Sequence, residues 1–220
     1  MQKVITIGRE FGSGGHEVGL RLAKRLDIPF YDKELITLTA ENSRFAESYL
    51  VKMDEQRPSF LNMGSAGMLP GAGGTSAVHG TMNSFYNLSP NDQIFLETSK
   101  VMHQLAEKGP CVIVGRCADY ILRDIDPVNF FICADIKDRI ARKLALDEHA
   151  AKDEQAMEKL IRQTDKARKR YYTYYSHEVW GAAKNYHLCI NTSVVGVDGA
   201  VEIIMKFVEE FRRKNLMPDL

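Results

Sequence analysis

Short apolar runs recur along the chain with the composition of buried β-strands. Five of them are rich in β-branched or aromatic residues, and a turn or a helical pattern follows each one. They are VITIG at 4–8, IPFYD at 28–32, CVIVG at 111–115, NFFICA at 129–134 and HLCIN at 187–191. Runs that are apolar throughout, rather than alternating with polar residues, are typical of parallel strands covered on both faces.

Between these runs, apolar residues recur at helical spacing, first over about 16–26. Four sets of positions mark four helices: Val18, Leu22 and Leu26; Ile94, Val101 and Leu105; Ile136, Ile140 and Leu144; Val201, Ile204, Phe207 and Phe211. Strands that alternate with such helices indicate an α/β fold in three layers, with a parallel sheet between two layers of helices. The 220 residues fit one such domain.

Residues 58–90 interrupt this alternation. The segment PSFLNMGSAGMLPGAGGTSAVHGTMNSFYNLSP is rich in Gly, Ser and Pro and contains no Asp, Glu, Lys or Arg. A stretch of this length without secondary structure is typical of a flexible surface linker or of a functional loop. In the second interpretation it is a lid that orders over bound substrate, and its packing groups are Met63, Met68, Phe85 and Tyr86.

Charge and cysteine content narrow the classes of function. Lys plus Arg equals Asp plus Glu, at 29 each, so the net charge indicates neither nucleic-acid nor membrane binding. No run of about 18 apolar residues is present, which argues against a membrane-spanning helix. The cysteines, at 111, 117, 133 and 189, lack metal or redox spacing, and three lie in predicted strands as core hydrophobes. Reduced thiols predict a cytoplasmic protein.

The segment KLIRQTDKARKRYYTYYSHEVW, at 159–180, combines basic and aromatic residues and raises the alternative of RNA binding. The sequence signals of RNA-binding modules are missing and the rest of the chain is not basic, so we predict no nucleic-acid partner. The basic residues within 162–170 fit a lid over a polyphosphate or, equally, a solvated helix face paired with Glu154, Glu158 and Asp165.

Small residues join the first predicted strand to the first predicted helix. They form a glycine loop that consists of Gly12, Ser13, Gly14 and Gly15. In a phosphate-binding loop, glycines let successive N–H groups converge on one anion, and the start of the following helix adds further N–H donors. A tight turn without a ligand needs fewer small residues, so this motif favours phosphate binding.

The glycine loop departs from the usual Gly-x-x-x-x-Gly-Lys-Ser/Thr pattern at three positions. With Gly14 aligned on the second glycine, Arg9 replaces the first glycine, Gly15 replaces the lysine and His16 replaces the hydroxyl residue. The lysine normally contacts the β- and γ-phosphates, and the hydroxyl holds magnesium. The candidate sources of the missing charge are Arg9, Arg21 and an arginine of the lid.

Three stretches in this order resemble the cytidylate kinase-like family, a branch of the nucleoside-monophosphate (NMP) kinases with an unusual glycine loop. They are ITIGREFGSGGHEVGLRLAKRL at 5–26, PFYDKELI at 29–36 and VIVGRCADYIL at 112–122. The resemblance implies a single P-loop kinase domain over 1–220, with a five-stranded parallel sheet in an α/β/α sandwich. It also implies an NMP-binding segment at about 33–108 and a helical lid at about 145–180.

The same resemblance implies transfer of the γ-phosphate of ATP, with Mg²⁺, to CMP or dCMP. Contacts to the donor nucleotide then fall on the residues Gly12, Ser13, Gly14, Gly15 and His16. Contacts to the acceptor fall on Asp32 and Arg116. The residues that would stabilise charge during transfer are Arg139, Arg142, Asp165 and Arg168.

Arg116 also has a physical argument in its favour. It follows an apolar strand and should lie at the carboxyl edge of the sheet, where ligands of parallel α/β folds bind. A guanidinium there needs an anionic partner, which is a ligand phosphate or one of the carboxylates of Asp32 and Asp119. Basic residues at i, i+3 and i+4 share one face of a later helix: Arg139, Arg142 and Lys143.

The sequence leaves two classes of function open. The first is a cytoplasmic phosphotransferase that uses ATP and Mg²⁺ and acts on a small acceptor, with a pyrimidine monophosphate as the first candidate and another metabolite as a variant. The second is a non-catalytic nucleotide- or phosphate-binding regulatory module, favoured by the loss of the lysine and the hydroxyl residue. The sequence specifies neither the acceptor nor the oligomeric state.

Overall fold

A central parallel sheet organises the protein. The computed structural model describes residues 3–32, 35, 38–39, 89–146 and 153–214. In these residues five strands form one sheet: β1 Ile5–Arg9, β2 Phe30–Tyr31, β3 Val112–Val114, β4 Val128–Cys133 and β5 Leu188–Asn191. The order in the sheet is β2-β3-β1-β4-β5, and all four pairings are parallel. Each strand overlaps one of the five predicted runs, which confirms the parallel five-stranded sheet.

Helices cover both faces of this sheet. The described α-helices are α1 Gly15–Leu26, α2 Pro90–Lys108, α3 Ala118–Ile121, α4 Ile136–Leu146, α5 Glu154–Ser176 and α6 Thr192–Arg213, and α6 is kinked at Gly196. On one face, α1 and α6 pack on side chains such as Ile7 and Phe130. On the other face, α2, α3 and the end of α5 pack around Ile113 and Tyr172. The three-layer α/β/α arrangement predicted from the sequence is therefore confirmed.

A third, smaller core joins α4 to α5. Ile140 of α4 packs on Met157 and Ile161 of α5, and Phe11, which follows β1, packs against this group. The contact ties the region between β1 and α1 to two later helices. It therefore brings the basic residues of α4 and α5 near the glycine loop.

The parallel register places the ends of four strands at one edge of the sheet. Tyr31 pairs with Ile113, and Arg9 pairs with Ile132, so the segments that follow β1, β2, β3 and β4 emerge together. In open α/β sheets this carboxyl edge is where ligands bind. The candidate site is built there.

Some predictions from the sequence are wrong or fall outside the described residues. Cys189 was expected in the core but is exposed on the edge strand β5, whereas Cys117, which lies outside the predicted strands, is buried. Most of the predicted NMP-binding segment, and 58–88 in particular, lies outside the described residues, so the predicted subdivision of the chain stays a prediction. None of the described helices combines the length and apolarity needed to cross a bilayer.

Candidate active site

The glycine loop connects β1 to α1 through two left-handed residues. Gly12 and Gly14 both have φ near 82°, a conformation that residues with a Cβ rarely adopt. Gly14 caps α1 without any side-chain hydrogen bond to the helix. The first-turn N–H groups of a helix have no intrahelical acceptor, so the start of α1 presents N–H donors and the positive end of the helix dipole. This arrangement can bind an anion.

The loop is tightly enclosed by later helices. A Cβ at Gly12 would lie 3.0 Å from the carbonyl oxygen of Arg139, and one at Gly14 would lie 3.0 Å from Cγ2 of Val197. Ser13 is fully buried, and its hydroxyl donates to the carbonyl of Glu10 at 2.9 Å. This hydroxyl holds the shape of the loop and would have to give up that bond in order to contact magnesium.

Arg139 and Asp165 hold the backbone that leads into the loop. Arg139 Nε donates to the carbonyl of Phe11 at 2.8 Å, while the amide of Phe11 donates to Asp165 Oδ1 at 2.8 Å. The two side chains also form an ion pair with each other. A third group joins them, because Arg139 Nη1 lies 3.2 Å from Oε2 of Glu10. The side chain of Arg139 is only 7% exposed, so these contacts are largely shielded from water.

Two further arginines contact the same stretch of backbone. Arg142 Nη1 donates to the carbonyl of Gly12 at 2.8 Å. Arg168 Nη1 donates to the carbonyl of Arg9 at 3.2 Å, and its guanidinium lies 5.4 Å from the ring centre of Phe11. Lys143 lies over the same ring, with Nζ 4.8 Å from its centre. The structure thus brings Arg139, Arg142, Lys143 and Arg168 around the loop, whereas Arg162 pairs with Glu158 on an exposed face of α5.

Asp32 connects β2 to the start of α1. It is 7% exposed and lies between two side chains, with Oδ1 2.8 Å from Arg9 Nη2 and Oδ2 2.6 Å from His16 Nδ1. Burial disfavours its charged form, but the hydrogen bond with His16 and the positive charges of Arg9 and Arg116 outweigh burial and lower the pKa of Asp32. Asp32 is therefore an ionised carboxylate in a cluster of basic groups.

A strained turn places Arg116 in this cluster. Gly115, Arg116 and Cys117 follow β3 with φ values of 79°, 54° and 57°. Non-glycine residues adopt this conformation at a cost of about 1 kcal/mol each, and such strain persists where the surrounding structure enforces it. The sequence proposed Asp32 and Asp119 as carboxylate partners of Arg116. Of these two, Asp32 is the one whose pKa the charge of Arg116 lowers. Asp119 instead accepts a hydrogen bond from the Tyr172 hydroxyl at 2.8 Å.

Two residues with roles at the site were missed by reasoning from sequence. Glu10 accepts one hydrogen bond, from the backbone amide of Ala134 at 3.1 Å, and pairs with Arg139. Thr192, at the start of α6, donates to the carbonyl of Ser13 at 2.6 Å. Both act through contacts between segments that are far apart in the chain, and no local pattern signals such contacts.

The structure also separates the three candidate sources of the missing charge. Arg21 of α1 is exposed, and its guanidinium pairs with the carboxylates of Glu17 and Asp198. Arg9 and Arg168 both lie at the loop. The candidates Arg9 and Arg168 thus contact the loop region directly, whereas Arg21 is engaged by two carboxylates.

Solved structures with related architecture include an uncharacterized protein from Eubacterium ventriosum. It has a TM-score of 0.67 and 28% identity, and the alignment covers 94% of this chain and 99% of that one. Shikimate kinase from Bacteroides thetaiotaomicron has a TM-score of 0.53 at 14% identity, with 95% and 99% covered. A gluconokinase from Sinorhizobium meliloti has a TM-score of 0.51 at 13% identity, with 97% of each chain covered. The two kinases confirm the P-loop kinase fold.

Comparison of the sequence with family models identifies the family as well as the fold. No curated protein matches this sequence significantly. The model of the cytidylate kinase-like family, however, matches residues 4–194, a range that contains the glycine loop, Asp32, Arg116 and the basic residues of α4 and α5. This match spans most of the 220 residues. The chain therefore belongs to the cytidylate kinase-like family.

Proposed function

We propose that the protein is a phosphotransferase that moves the γ-phosphate of ATP to a small acceptor, with CMP or dCMP as the first candidates. The observation that carries this proposal is the glycine loop at the start of α1, which lies at the carboxyl edge of the sheet and is surrounded by Arg9, Arg142 and Arg168. Family membership and the kinase fold support phosphate transfer.

The site fits a polyphosphate. The turn at Gly12 and Gly14 leaves the N–H groups at the start of α1 as donors, and the surrounding arginines supply positive charge. Phosphoryl transfer needs little covalent chemistry from the protein, because positioning and charge stabilisation lower the barrier. An acceptor oxygen would attack the γ-phosphorus as the bond to the β–γ bridging oxygen breaks, and ADP would leave.

The described residues fit magnesium less closely than they fit the polyphosphate. Within them, no group of three or more His, Cys, Asp or Glu side chains is arranged to hold a metal ion. Ser13 uses its hydroxyl within the loop, and Asp32 is engaged by Arg9 and His16. Magnesium would therefore be carried mainly by the oxygens of the nucleotide's own phosphates, whose charge it would neutralise.

The acceptor is proposed to bind beside Asp32 and Arg116. Asp32 follows β2 directly, Arg116 lies two residues beyond β3, and both strands end at the same edge as the glycine loop. Arg116 offers a planar group suited to phosphate. Asp32 would orient these basic groups and contact a polar group of the acceptor. A nucleoside monophosphate has the anionic group that this pair of residues requires.

A non-catalytic nucleotide-binding module remains a second candidate, and one observation favours it. Arg139 and Asp165, two of the predicted catalytic residues, form an ion pair with each other and bind the backbone of Phe11. Their role is therefore to hold the conformation of the backbone that leads into the glycine loop. Within the predicted set, the residues that would act directly on the transferred phosphate are then Arg142 and Arg168.

Turnover separates the two candidates. The purified protein is incubated with ATP, Mg²⁺ and single nucleoside monophosphates or small hydroxy acids, and acceptor-dependent ADP is measured. Phosphotransfer predicts ADP formation that Arg116→Ala reduces, whereas Arg123→Ala leaves it unchanged because Arg123 lies on the ring of Tyr120 and donates to its carbonyl. ATP binding without turnover on any acceptor would favour the module.

A further inference from the structure

The side chain of Arg9 runs between two glycines. A Cβ at Gly15 would lie 2.5 Å from Cβ of Arg9, which is closer than real Cβ contacts allow. A Cβ at Gly115 would lie 1.7 Å from Nη1 of Arg9. The aliphatic stem of Arg9 thus occupies the space that a side chain at residue 15 would need. Its guanidinium occupies the space that a side chain at residue 115 would need.

This packing explains the missing lysine of the loop. Gly15 is the position at which the usual phosphate-binding pattern has lysine, and no side chain fits there while residue 9 carries a Cβ. A lysine at 15 and an arginine at 9 are therefore mutually exclusive. Compared with the usual pattern, this chain lacks the cation on the first turn of α1 and has one instead on Arg9, the last residue of β1.

The guanidinium of Arg9 is placed to replace that lysine. Its Nη2 lies 2.8 Å from Asp32, which in turn lies 2.6 Å from His16 on the first turn of α1. The side chain is 16% exposed, so the charge is partly desolvated and its attraction for an anion is strong. A guanidinium carries five N–H donors, and the bond to Asp32 uses only one.

We propose that Arg9 contacts the β- and γ-phosphates of the donor nucleotide in place of the P-loop lysine, and that Asp32 is the positioning residue that fixes its guanidinium. This inference rests on the proposed function and names the residue that holds the donor phosphates. In the opposing interpretation Arg9 only neutralises Asp32, and its removal then affects stability but not the recognition of phosphates.

The test compares binding of ATP–Mg²⁺ and of AMP, measured by calorimetry, in the full chain. We expect Arg9→Ala to weaken ATP binding 10- to 100-fold, as for the loss of about one charged hydrogen bond, and to leave AMP binding within about threefold. The double variant Arg9→Gly/Gly15→Lys removes the Cβ of residue 9 that blocks residue 15 and restores the cation from the usual position, so it should recover at least about tenfold of that loss. Arg21→Ala, at an exposed position of α1, is the matched control and should bind ATP normally.

A second double variant distinguishes weaker ATP binding from a folding defect caused by the unpaired carboxylate of Asp32. Arg9→Ala/Asp32→Asn removes the carboxylate that Arg9 neutralises, and it should fold normally but still bind ATP as weakly as Arg9→Ala. Normal ATP affinity in a folded Arg9 variant would overturn the inference, as would the absence of any recovery with Gly15→Lys. Wild-type protein that binds ATP through Arg9 but transfers no phosphate would instead overturn only the proposed function.

Discussion

Arg139 and Asp165 together bind the two peptide groups that flank Phe11. Nε of Arg139 donates a hydrogen bond to the Phe11 carbonyl, and the Asp165 carboxylate accepts one from the Phe11 amide. Both bonds are 2.8 Å long. The ion pair between the two side chains closes the arrangement and joins α4 to α5. The backbone entering the glycine loop is therefore fixed by a largely buried charged network rather than by a local turn alone.

Breaking this network should destabilise the protein. Arg139→Ala leaves the carboxylates of Asp165 and Glu10 without their shared cation, and we expect a loss of about 3 kcal/mol in the free energy of unfolding. Urea denaturation measures the change. Arg162→Ala is the matched control, since its pair with Glu158 is exposed and should contribute less than about 1 kcal/mol. Equal effects of the two substitutions would show that the buried network adds no stability.

The left-handed glycine at the start of α1 gives a second prediction. Gly14→Ala introduces backbone strain of about 1 kcal/mol, and its Cβ would meet Val197 and the guanidinium of Arg142. We expect ATP binding to weaken by at least about tenfold, because the anion-binding turn must shift to make room. Calorimetric titration with ATP measures this effect.

Gly196 offers a control for the backbone strain. Its φ is 71°, but a Cβ there has no atom within 4 Å. With ψ of 175°, Gly196 lies in a region that is essentially restricted to glycine, so Gly196→Ala should cost at least as much stability as Gly14→Ala and leave ATP affinity unchanged. If both variants bind ATP equally well, the turn at Gly14 is not part of a phosphate site.

The arrangement of strands and helices could be predicted from the sequence because apolar periodicity is local. Fully apolar runs such as CVIVG indicate a strand buried on both faces, and the glycine loop stands out by composition. The link between Arg9, Gly15 and Gly115 could not be predicted in this way, because it depends on the path of one side chain between two distant segments. The exposure of Cys189 depends likewise on the order of strands in the sheet, which a local pattern does not contain.

Arg168 gives a prediction on catalysis. Its guanidinium lies by the ring of Phe11 and donates to the Arg9 carbonyl, beside the loop but on α5. We expect Arg168→Ala to lower the turnover number by about 100-fold or more and to change ATP affinity by less than about threefold, because the charge acts on the transferred phosphate. Arg170→Ala, an exposed position on the same helix, is the control. An unchanged turnover number would remove Arg168 from the mechanism.

A half-buried carboxyl on α3 makes stability depend on pH. Asp119 accepts a hydrogen bond from the hydroxyl of Tyr172 at 2.8 Å, between α3 and α5. Burial is the largest influence and raises the pKa of Asp119, and the charge of Glu178 adds to it. The hydrogen bonds from Tyr172 and from the Tyr120 amide favour the charged form but are outweighed. In the folded protein, Asp119 therefore keeps its proton to a higher pH than in the unfolded chain.

This raised pKa predicts the direction of the pH effect. Between the ordinary aspartate value of about 3.9 and the higher folded value, the native state binds more protons than the unfolded state, so stability falls as pH rises through this window. Asp119→Asn cannot titrate and keeps an acceptor for Tyr172, so its stability relative to wild type should increase from pH 4 towards pH 7. Urea denaturation across that range measures the difference, with the exposed Asp138→Asn as control. Parallel pH profiles for wild type and Asp119→Asn would contradict the prediction.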